Sequence, residues 1–309
     1  MESHDVVVIG GGPAGLATAI ALRERGVQEI VVLEREPEAG GIPRHCGHRG
    51  FGFFKRSGLL KGPELAKQLR TQTSSIDVRT NTTVLEFSLR GALRVHGAAG
   101  ISEINAKKFV LATGTRESSR AARLIGGKRL PGIINTGTLQ QQVYLHHTKP
   151  FSRPVILGSE WVSFSALMTC RHAGIKPVAM ISEDEKIDAP FYFAYGSRLV
   201  FGVPVKTGSK VIAIHGTDKV EALEIEAKGK RRMIACDGVI VSGKFRSEHA
   251  LYSNGFLQRD GHAPKVTDGF RTSKPNIFAV GNVLGRLETA GTCMMEARKL
   301  AELVAGELK

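Results

Sequence analysis

The chain has 309 residues, a formal net charge of +14, 42% hydrophobic residues and 36 glycines. That length fits two domains of ordinary size. No apolar run reaches the roughly 18 residues a membrane helix needs, and four widely spaced cysteines with no C-x-x-C pair argue against a disulfide framework and for a reducing cytoplasm.

The first element in chain order is "DVVVIG" (5–10), a continuous apolar run ending in glycine, which predicts a buried parallel strand. "GGPAGLATAIALRERG" follows with Leu16, Ala17, Ile20 and Ala21 at helical spacing and Gly26 as its stop. "EIVVLE" (29–34) is a second strand, which completes a β-α-β unit. Residues 63–72 predict a helix opened by proline. The runs "TVLEFSL", "ALRVHG", "GISEINA" and "KFVLATG" predict an antiparallel meander. Residues 153–174 repeat the strand-turn-helix pattern, with "KPVAMIS" as the next strand. "RMIACDGVIVSGKF" and "KPNIFAVGNV" add later strands, and Lys228–Arg232 falls in a hairpin turn. The pattern is α/β, with two similar strand-turn-helix units about 150 residues apart.

The charge fits a basic soluble surface, or attraction for anionic cofactors and an acidic partner. With 6% aromatics and no dense basic tract beyond Lys228–Arg232, nucleic acid is not expected as a partner. The N-terminus lacks a cationic-then-apolar leader, so no secretory signal is expected.

Gly10-x-Gly12-x-x-Gly15 sits between a strand and a helix. Gly10 permits the tight turn, Gly12 lets main chain approach a pyrophosphate, and Gly15 lets helix and strand pack. Pro13 and Ala14 open a helix whose free N–H groups and dipole favour phosphate. Glu34, 22 residues after Gly12, can accept from both hydroxyls of an adenosine ribose and would repel a 2′-phosphate. Two further signals are "FVLATGT", with Ala112, Thr113 and Gly114, and "IFAVGNVLGRLETAGTC", with Gly281 and Asn282 ahead of a helix.

Together these motifs resemble the two-domain FAD-dependent pyridine nucleotide-disulfide oxidoreductases of the glutathione-reductase type, across essentially the whole chain. The resemblance implies an α/β fold of two Rossmann-like domains, the first a discontinuous FAD-binding domain, 1–116 and 244–309, that includes the meander. An NAD(P)-binding-like domain, 117–243, is inserted in it. It implies FAD contacts from Arg35, Gly41, Ile42, Arg44, His45 and Val84 besides the glycine motifs. It also brings Glu288, Thr289 and Ala290 to the pyrimidine edge of the flavin. In that family an aspartate follows the third-motif glycine; here it is Asn282. The inserted domain's own glycine motif reads Gly158-Ser159-Glu160-Trp161-Val162-Ser163 and keeps only its first glycine, so NAD(P)H, another adenine nucleotide or no ligand all stay open. Trp161 is expected to pack over or block that site.

The stretch "GGIPRHCGH" (40–48) falls where disulfide reductases carry GG-x-C-x-x-x-G-C. Pro43 and His48 occupy the two cysteine positions, so disulfide cycling by that route is excluded. Arg44, His45, Cys46 and His48 are candidate flavin-pocket or catalytic residues; a metal site at His45, Cys46 and His48, or a catalytic thiol or imidazole acting on a bound substrate, are the alternatives. No metal is assigned. Cys170 and Cys236 read as structural thiols, as does Cys293 in the last helix, and His146–His147 as solvated linker.

"EAGGIPRHCGHRGFG", "GSEWVSFSALMTCRHAG" and "GNVLGRLETAGTC" narrow the resemblance to the α-type subunits of opine oxidase, hydrogen cyanide synthase and (hydroxy)proline dehydrogenase complexes. That implies a cytoplasmic amine or imino-acid dehydrogenase subunit, peripheral at most to the inner face of a membrane. Its expected partners are a glycine-oxidase-like flavoprotein subunit and a small iron–sulfur subunit. The alternatives are a stand-alone NAD(P)H-dependent reductase and a nucleotide-holding structural subunit.

Overall fold

A computed structural model describes residues 2–51, 60–88, 91–189, 198–267 and 270–309. Gly52, the last residue of the first of those quoted motifs, lies outside the described residues. The chain divides into two compact units: Met1–Arg44 with Arg49–Arg116 and Phe245–Lys309, and Glu117–Lys244 with His45–His48.

The first unit is built on strands β1 (Glu2–Ile9), β2 (Ile30–Leu33), β3 (Asp77–Arg79), β4 (Thr83–Phe87), β5 (Leu93–Gly97) and β6 (Gly100–Leu111). Their order is β3-β2-β1-β6-β5-β4, and the strand Ile277–Ala279 also pairs with β6. Pairing is parallel from β3 through β6 and antiparallel between β6, β5 and β4. The second half of β1, Val6–Ile9, is a continuous apolar run because both faces of the sheet are covered there. Val6 and Val8 join Val32, Val110 and Phe278 in one core, against helix α1 (Pro13–Glu24) and the helix Ala290–Leu308. Val7 and Ile9 join Leu33, Phe109 and Ile277 in the other, against Tyr252 and Leu257. Alanines 14, 17 and 21 of α1 share the first core with alanines 297, 301 and 305, and these small side chains let two helices approach closely.

The sequence runs "GISEINA" and "KFVLATG" were expected as two strands; they form one, β6. No turn residue separates them. Residues 101–103 are exposed, whereas Phe109–Leu111 are buried between β1 and Ile277–Ala279, so one strand passes from the rim to the core. The proline-opened helix is α2 (Gly62–Gln72), with Glu64 accepting from the Lys61 N–H at 2.9 Å as in a capping box.

The inserted unit has a five-stranded, all-parallel sheet and a second sheet of four strands. In chain order its strands are β7 (Gly126–Gly127), β8 (Ile133–Asn135), β9 (Pro154–Leu157), β10 (Ala179–Ile181), β11 (Val205–Lys206), β12 (Ser209–His215), β13 (Ala222–Ala227), β14 (Lys230–Ala235) and β15 (Gly238–Val241). The parallel sheet runs β8-β15-β9-β10-β11 and the other β7-β12-β13-β14. Val155, Leu157, Val239 and Val241 face Ile214, Leu223 and Ile225 of the second sheet. Ile156, Met180 and Ile240 face helices α3 (Thr136–Tyr144) and α4 (Trp161–His172) through Leu139, Phe164 and Leu167. Each such fully buried aliphatic chain stabilises by about 1.5–3 kcal/mol. Lys228 and Gly229 form the turn of the β13–β14 hairpin, both with positive φ. No helix among the described residues is long and apolar enough to cross a membrane.

Candidate functional site

In the first unit, β1 delivers Gly10 at φ +107, and a Cβ there would lie 2.5 Å from the Ala112 carbonyl oxygen. A Cβ on Gly15 would run into the Gly10 carbonyl. These two glycines are therefore required by the fold itself. Gly12 differs. It is the N-cap of α1 at φ −78°, and a Cβ there would meet nothing nearer than the Gly41 Cα at 3.9 Å. Pro13 stands at the start of the helix and no side chain caps it, which leaves first-turn N–H groups without intrahelical partners. Opposite lie two more bare backbones: Gly41, at φ +60, and Gly281, at φ +76, whose Cβ would crowd Ala14 at 2.8 Å.

Glu34 follows β2 directly and is buried at 7% exposure. One carboxylate oxygen accepts from the Gly11 N–H at 2.8 Å and the other from the Glu36 N–H at 2.9 Å. These bonds hold the carboxylate beside the glycine turn. Arg35 is exposed, with its guanidinium 3.6 Å from Glu248. Glu248, which sequence reasoning missed, closes the second motif. Its N–H donates to the Gly114 carbonyl at 3.0 Å, its carbonyl accepts from Thr113 Oγ1 at 3.2 Å, and its carboxylate pairs with Arg116. Ala112 continues β6 by donating to the Ile9 carbonyl at 2.8 Å. Val84 lies on β4 opposite Val95 and packs on the meander core.

The Asn282 amide is committed within the protein: its oxygen accepts from the Glu288 N–H at 2.8 Å, and its NH2 group donates to the Glu288 carbonyl at 3.2 Å. Cys293 Sγ lies 3.5 Å from the same oxygen. Asn282 thus staples the loop ahead of the last helix, and the Glu288 N–H is engaged by it. Thr289 caps that helix by accepting from the Thr292 N–H at 3.2 Å, and Ala290 is its first residue.

Ile42, Arg44 and His45 lie on one 3-10 turn, Ile42–His45. Ile42 is exposed and the Arg44 side chain is buried, its Nε 3.6 Å from Glu38. His45–His48 group with the inserted unit. Cys46 is buried; His48 Nε2 is 3.0 Å from its sulfur, Gln140 Nε2 donates to it at 3.5 Å, and Ser165 Oγ lies at 3.7 Å. Burial pushes this thiol up to about 11, against the opposing hydrogen bonds. Gly47 is packed so closely on the Tyr144 ring that no side chain would fit. All four cysteines are free and buried. Among the described residues no group of three or more His, Cys, Asp or Glu side chains is placed to hold a metal ion.

The inserted unit's turn is built differently. Gly158 ends β9 at φ +139, and Gly243 follows β15 at φ +78. Glu160, the N-cap of α4, folds its carboxylate back between them. Glu160 Oε2 accepts from the Ser159 N–H and from Ser163 Oγ, each at 3.0 Å. Ser163, Ser242 and Thr136 continue in a chain of hydroxyl contacts of 3.0 Å. The chain reaches buried Glu117, whose oxygens accept from the Gly137 N–H at 2.9 Å and the Gly243 N–H at 3.1 Å. Burial raises the Glu117 carboxyl above its ordinary range, with those backbone and Thr136 hydrogen bonds opposing. Ser159 Oγ bonds to Ser182 Oγ at 3.1 Å. Trp161 is half exposed. Glu117, Thr136, Ser242 and Gly243 went unread in the sequence. The signal was present, since "GVIVSG" repeats the strand-x-Gly ending of "FVLATG".

Among curated proteins the chain is similar to dihydrolipoyl dehydrogenase of Manduca sexta, at 25% identity over 91% of this chain and 63% of that one. It is 24% identical to hydrogen cyanide synthase subunit HcnB of Pseudomonas protegens, over 96% of this chain and 69% of that one. It is also 24% identical to one of the subunits of opine oxidase from Agrobacterium tumefaciens, over 92% and 62%. The chain thus spans about two thirds of the length of these relatives. In fold it matches thioredoxin reductase of T. acidophilum with a TM-score of 0.82, covering 99% of both chains at 20% identity. Residues 4–297 match the model of the pyridine nucleotide-disulphide oxidoreductase family, and the chain belongs to that family of FAD-dependent oxidoreductases.

Proposed function

We propose that this chain is the FAD-binding α-type subunit of a heteromeric amine or imino-acid dehydrogenase, of the opine, proline or hydroxyproline type, which passes electrons from C–N bond oxidation to a carrier. The observation that carries the reading is the state of the 40–48 stretch. Pro43 and His48 stand where disulfide reductases hold their redox cysteines. The one thiol nearby, Cys46, is buried and neutral at physiological pH. Electrons at the cofactor then neither come from nor go to a thiol pair of this chain.

The first unit's cradle fits FAD. The Gly12 main chain is open to close approach, the uncapped start of α1 offers N–H groups to a pyrophosphate, and Glu34 holds a fixed carboxylate for a ribose. When bound, FAD supplies the hydride- and electron-accepting chemistry. Gly10 and Gly15 keep strand, turn and helix in register. Gly41 and Gly281 keep side chains out of the cradle, and the Asn282 staple fixes the loop through Glu288. Arg44 holds a cation on the 3-10 turn after Gly41.

Two relatives named as subunits, of hydrogen cyanide synthase and of opine oxidase, support assembly with other chains. The proposed partners are a glycine-oxidase-like flavoprotein subunit and a small iron–sulfur subunit. Purification of the native complex through a tag on this chain, with mass spectrometry of its proteins and released cofactors, tests the reading. FAD on this chain, co-purified partners and amine-driven flavin reduction only in the complex are expected. A lone chain that oxidises an amine at the complex's rate would refute it.

A further inference from the structure

The two glycine turns share a strand-turn-helix plan, and only one leaves its cradle open. In the first unit a Cβ on Gly12 would have the Gly41 Cα, at 3.9 Å, as its nearest neighbour among the described residues. In the inserted unit a Cβ on Gly158 would lie 2.5 Å from Glu160 Oε2, and one on Gly243 would run into the same carboxylate. Both glycines have positive φ and turn their bare faces toward the Glu160 side chain. Family resemblance expects a pyridine nucleotide here, and the residues present do not fit its pyrophosphate.

We propose that the Glu160 carboxylate is the resident anion of the inserted unit, occupying the cradle so that a dinucleotide phosphate is excluded from it. An anion at a helix start is stabilised by the dipole and by free N–H groups whether it is a phosphate or the chain's own carboxylate. Glu160 stands at the start of α4 and takes its donors from Ser159 and Ser163 rather than from first-turn N–H groups. It accepts from main chain at Ser159, and it accepts from the Ser163 hydroxyl, whose place a packing glycine holds in the usual motif. Ser163 is in turn braced by Ser242 and Thr136. Admitting a phosphate requires breaking these bonds and bringing like charges together. The sequence carries the same compensation: Glu160 and Ser163 replace the second and third positions of the motif together, and the structure shows them bonded to each other.

Isothermal titration of the FAD-loaded full chain with NADH, NADPH and ADP as separate probes tests this. The wild-type chain is expected to give no saturable heat up to about 1 mM. Glu160→Ala is expected to bind ADP at least about tenfold more tightly than the wild type. Glu160→Gln, which keeps the volume and removes the charge, is expected to bind ADP more tightly than the wild type and less tightly than Glu160→Ala. Saturable wild-type binding below about 1 mM overturns the proposal, and that measurement stands alone should Glu160→Ala fail to fold. An alanine variant that folds and gains nothing, or a glutamine variant that binds ADP no better than the wild type, overturns it too. No arm uses an amine or a partner chain, so its failure is separate from failure of the dehydrogenase reading.

Discussion

Substitution of Gly12 by alanine separates the two jobs that glycines do in the first turn. Gly12 has φ −78° and ψ −176°, which alanine adopts freely, and its Cβ would meet nothing closer than 3.9 Å. Alanine is a poorer N-cap than glycine, at a cost of about 0.5–1 kcal/mol. The loss of chain entropy in the unfolded state offsets about 0.4–1 kcal/mol. The apoprotein should then unfold within about 3 °C of the wild type. The new methyl stands in the open cradle, where a tightly apposed ligand meets it as overpacking worth about 1–3 kcal/mol. That predicts FAD affinity lower by about 5- to 150-fold. Apoprotein melting by circular dichroism and quenching of FAD fluorescence on titration measure the two quantities. Gly15→Ala, whose Cβ has no room against the Gly10 carbonyl, is expected to lose both. An alanine at position 12 that binds FAD within about twofold of the wild type refutes the reasoning, because the open face of Gly12 would then not be the ligand's side.

Glu34→Gln turns an NH2 group toward one of two backbone N–H donors, so it should lose about 1.5–3 kcal/mol of stability and weaken FAD binding in the same titration. The native chain should release no thiol colour with Ellman's reagent in minutes at pH 7, since a thiol at about 11 holds only about one part in ten thousand as thiolate. One fast-reacting sulfur per chain would count against the buried Cys46. The Arg271 guanidinium and then Lys108 hold the Glu307 carboxyl at about 2, against an ordinary 4.5. A depressed carboxyl contributes above the unfolded value and its contribution is lost as pH falls from 4.5 toward 2. Glu307→Gln should therefore lower stability by under about 1 kcal/mol at pH 7 and narrow its gap to the wild type across that interval. Asn282→Asp keeps an acceptor for the Glu288 N–H but faces an oxygen to the Glu288 carbonyl, and should destabilise by about 1 kcal/mol in chemical denaturation.

Elements that depend on local pattern were legible from the residues. β1, α1 and β2 announced themselves because a two-sided core demands an uninterrupted apolar strand, and a helix against another helix demands small residues at 14, 17 and 21. Features that depend on side-chain partners were not. Asn282 has the chemistry to bond a ligand, and nothing in its neighbours reveals that both ends of its amide belong to Glu288. The single strand Gly100–Leu111 was read as two because its first half is exposed and its second is covered. Burial of one half depends on Ile277–Ala279, which is remote in sequence. Glu117 lies between obvious motifs, and its burial arises from α3 and the end of β15 meeting its carboxylate.

The contrast between the two turns bears on how such a domain loses a ligand without losing its fold. Deleting the glycines alone would leave the N–H of buried Ser159, just ahead of α4, facing an empty polar crevice, and an unsatisfied buried donor is costly. The chain instead supplies an acceptor in cis. Glu160 meets Ser159 N–H and Ser163 Oγ, and a hydroxyl chain leads from Ser163 to Glu117. Gly158 and Gly243 then persist for a different reason from Gly12. They make room for a protein carboxylate, whereas Gly12 leaves room for something that is not protein. On this argument Gly243→Ala should damage stability in the absence of any ligand, whereas Gly12→Ala should not. The same residue type in the same kind of turn would then be a folding requirement in one unit and a binding requirement in the other.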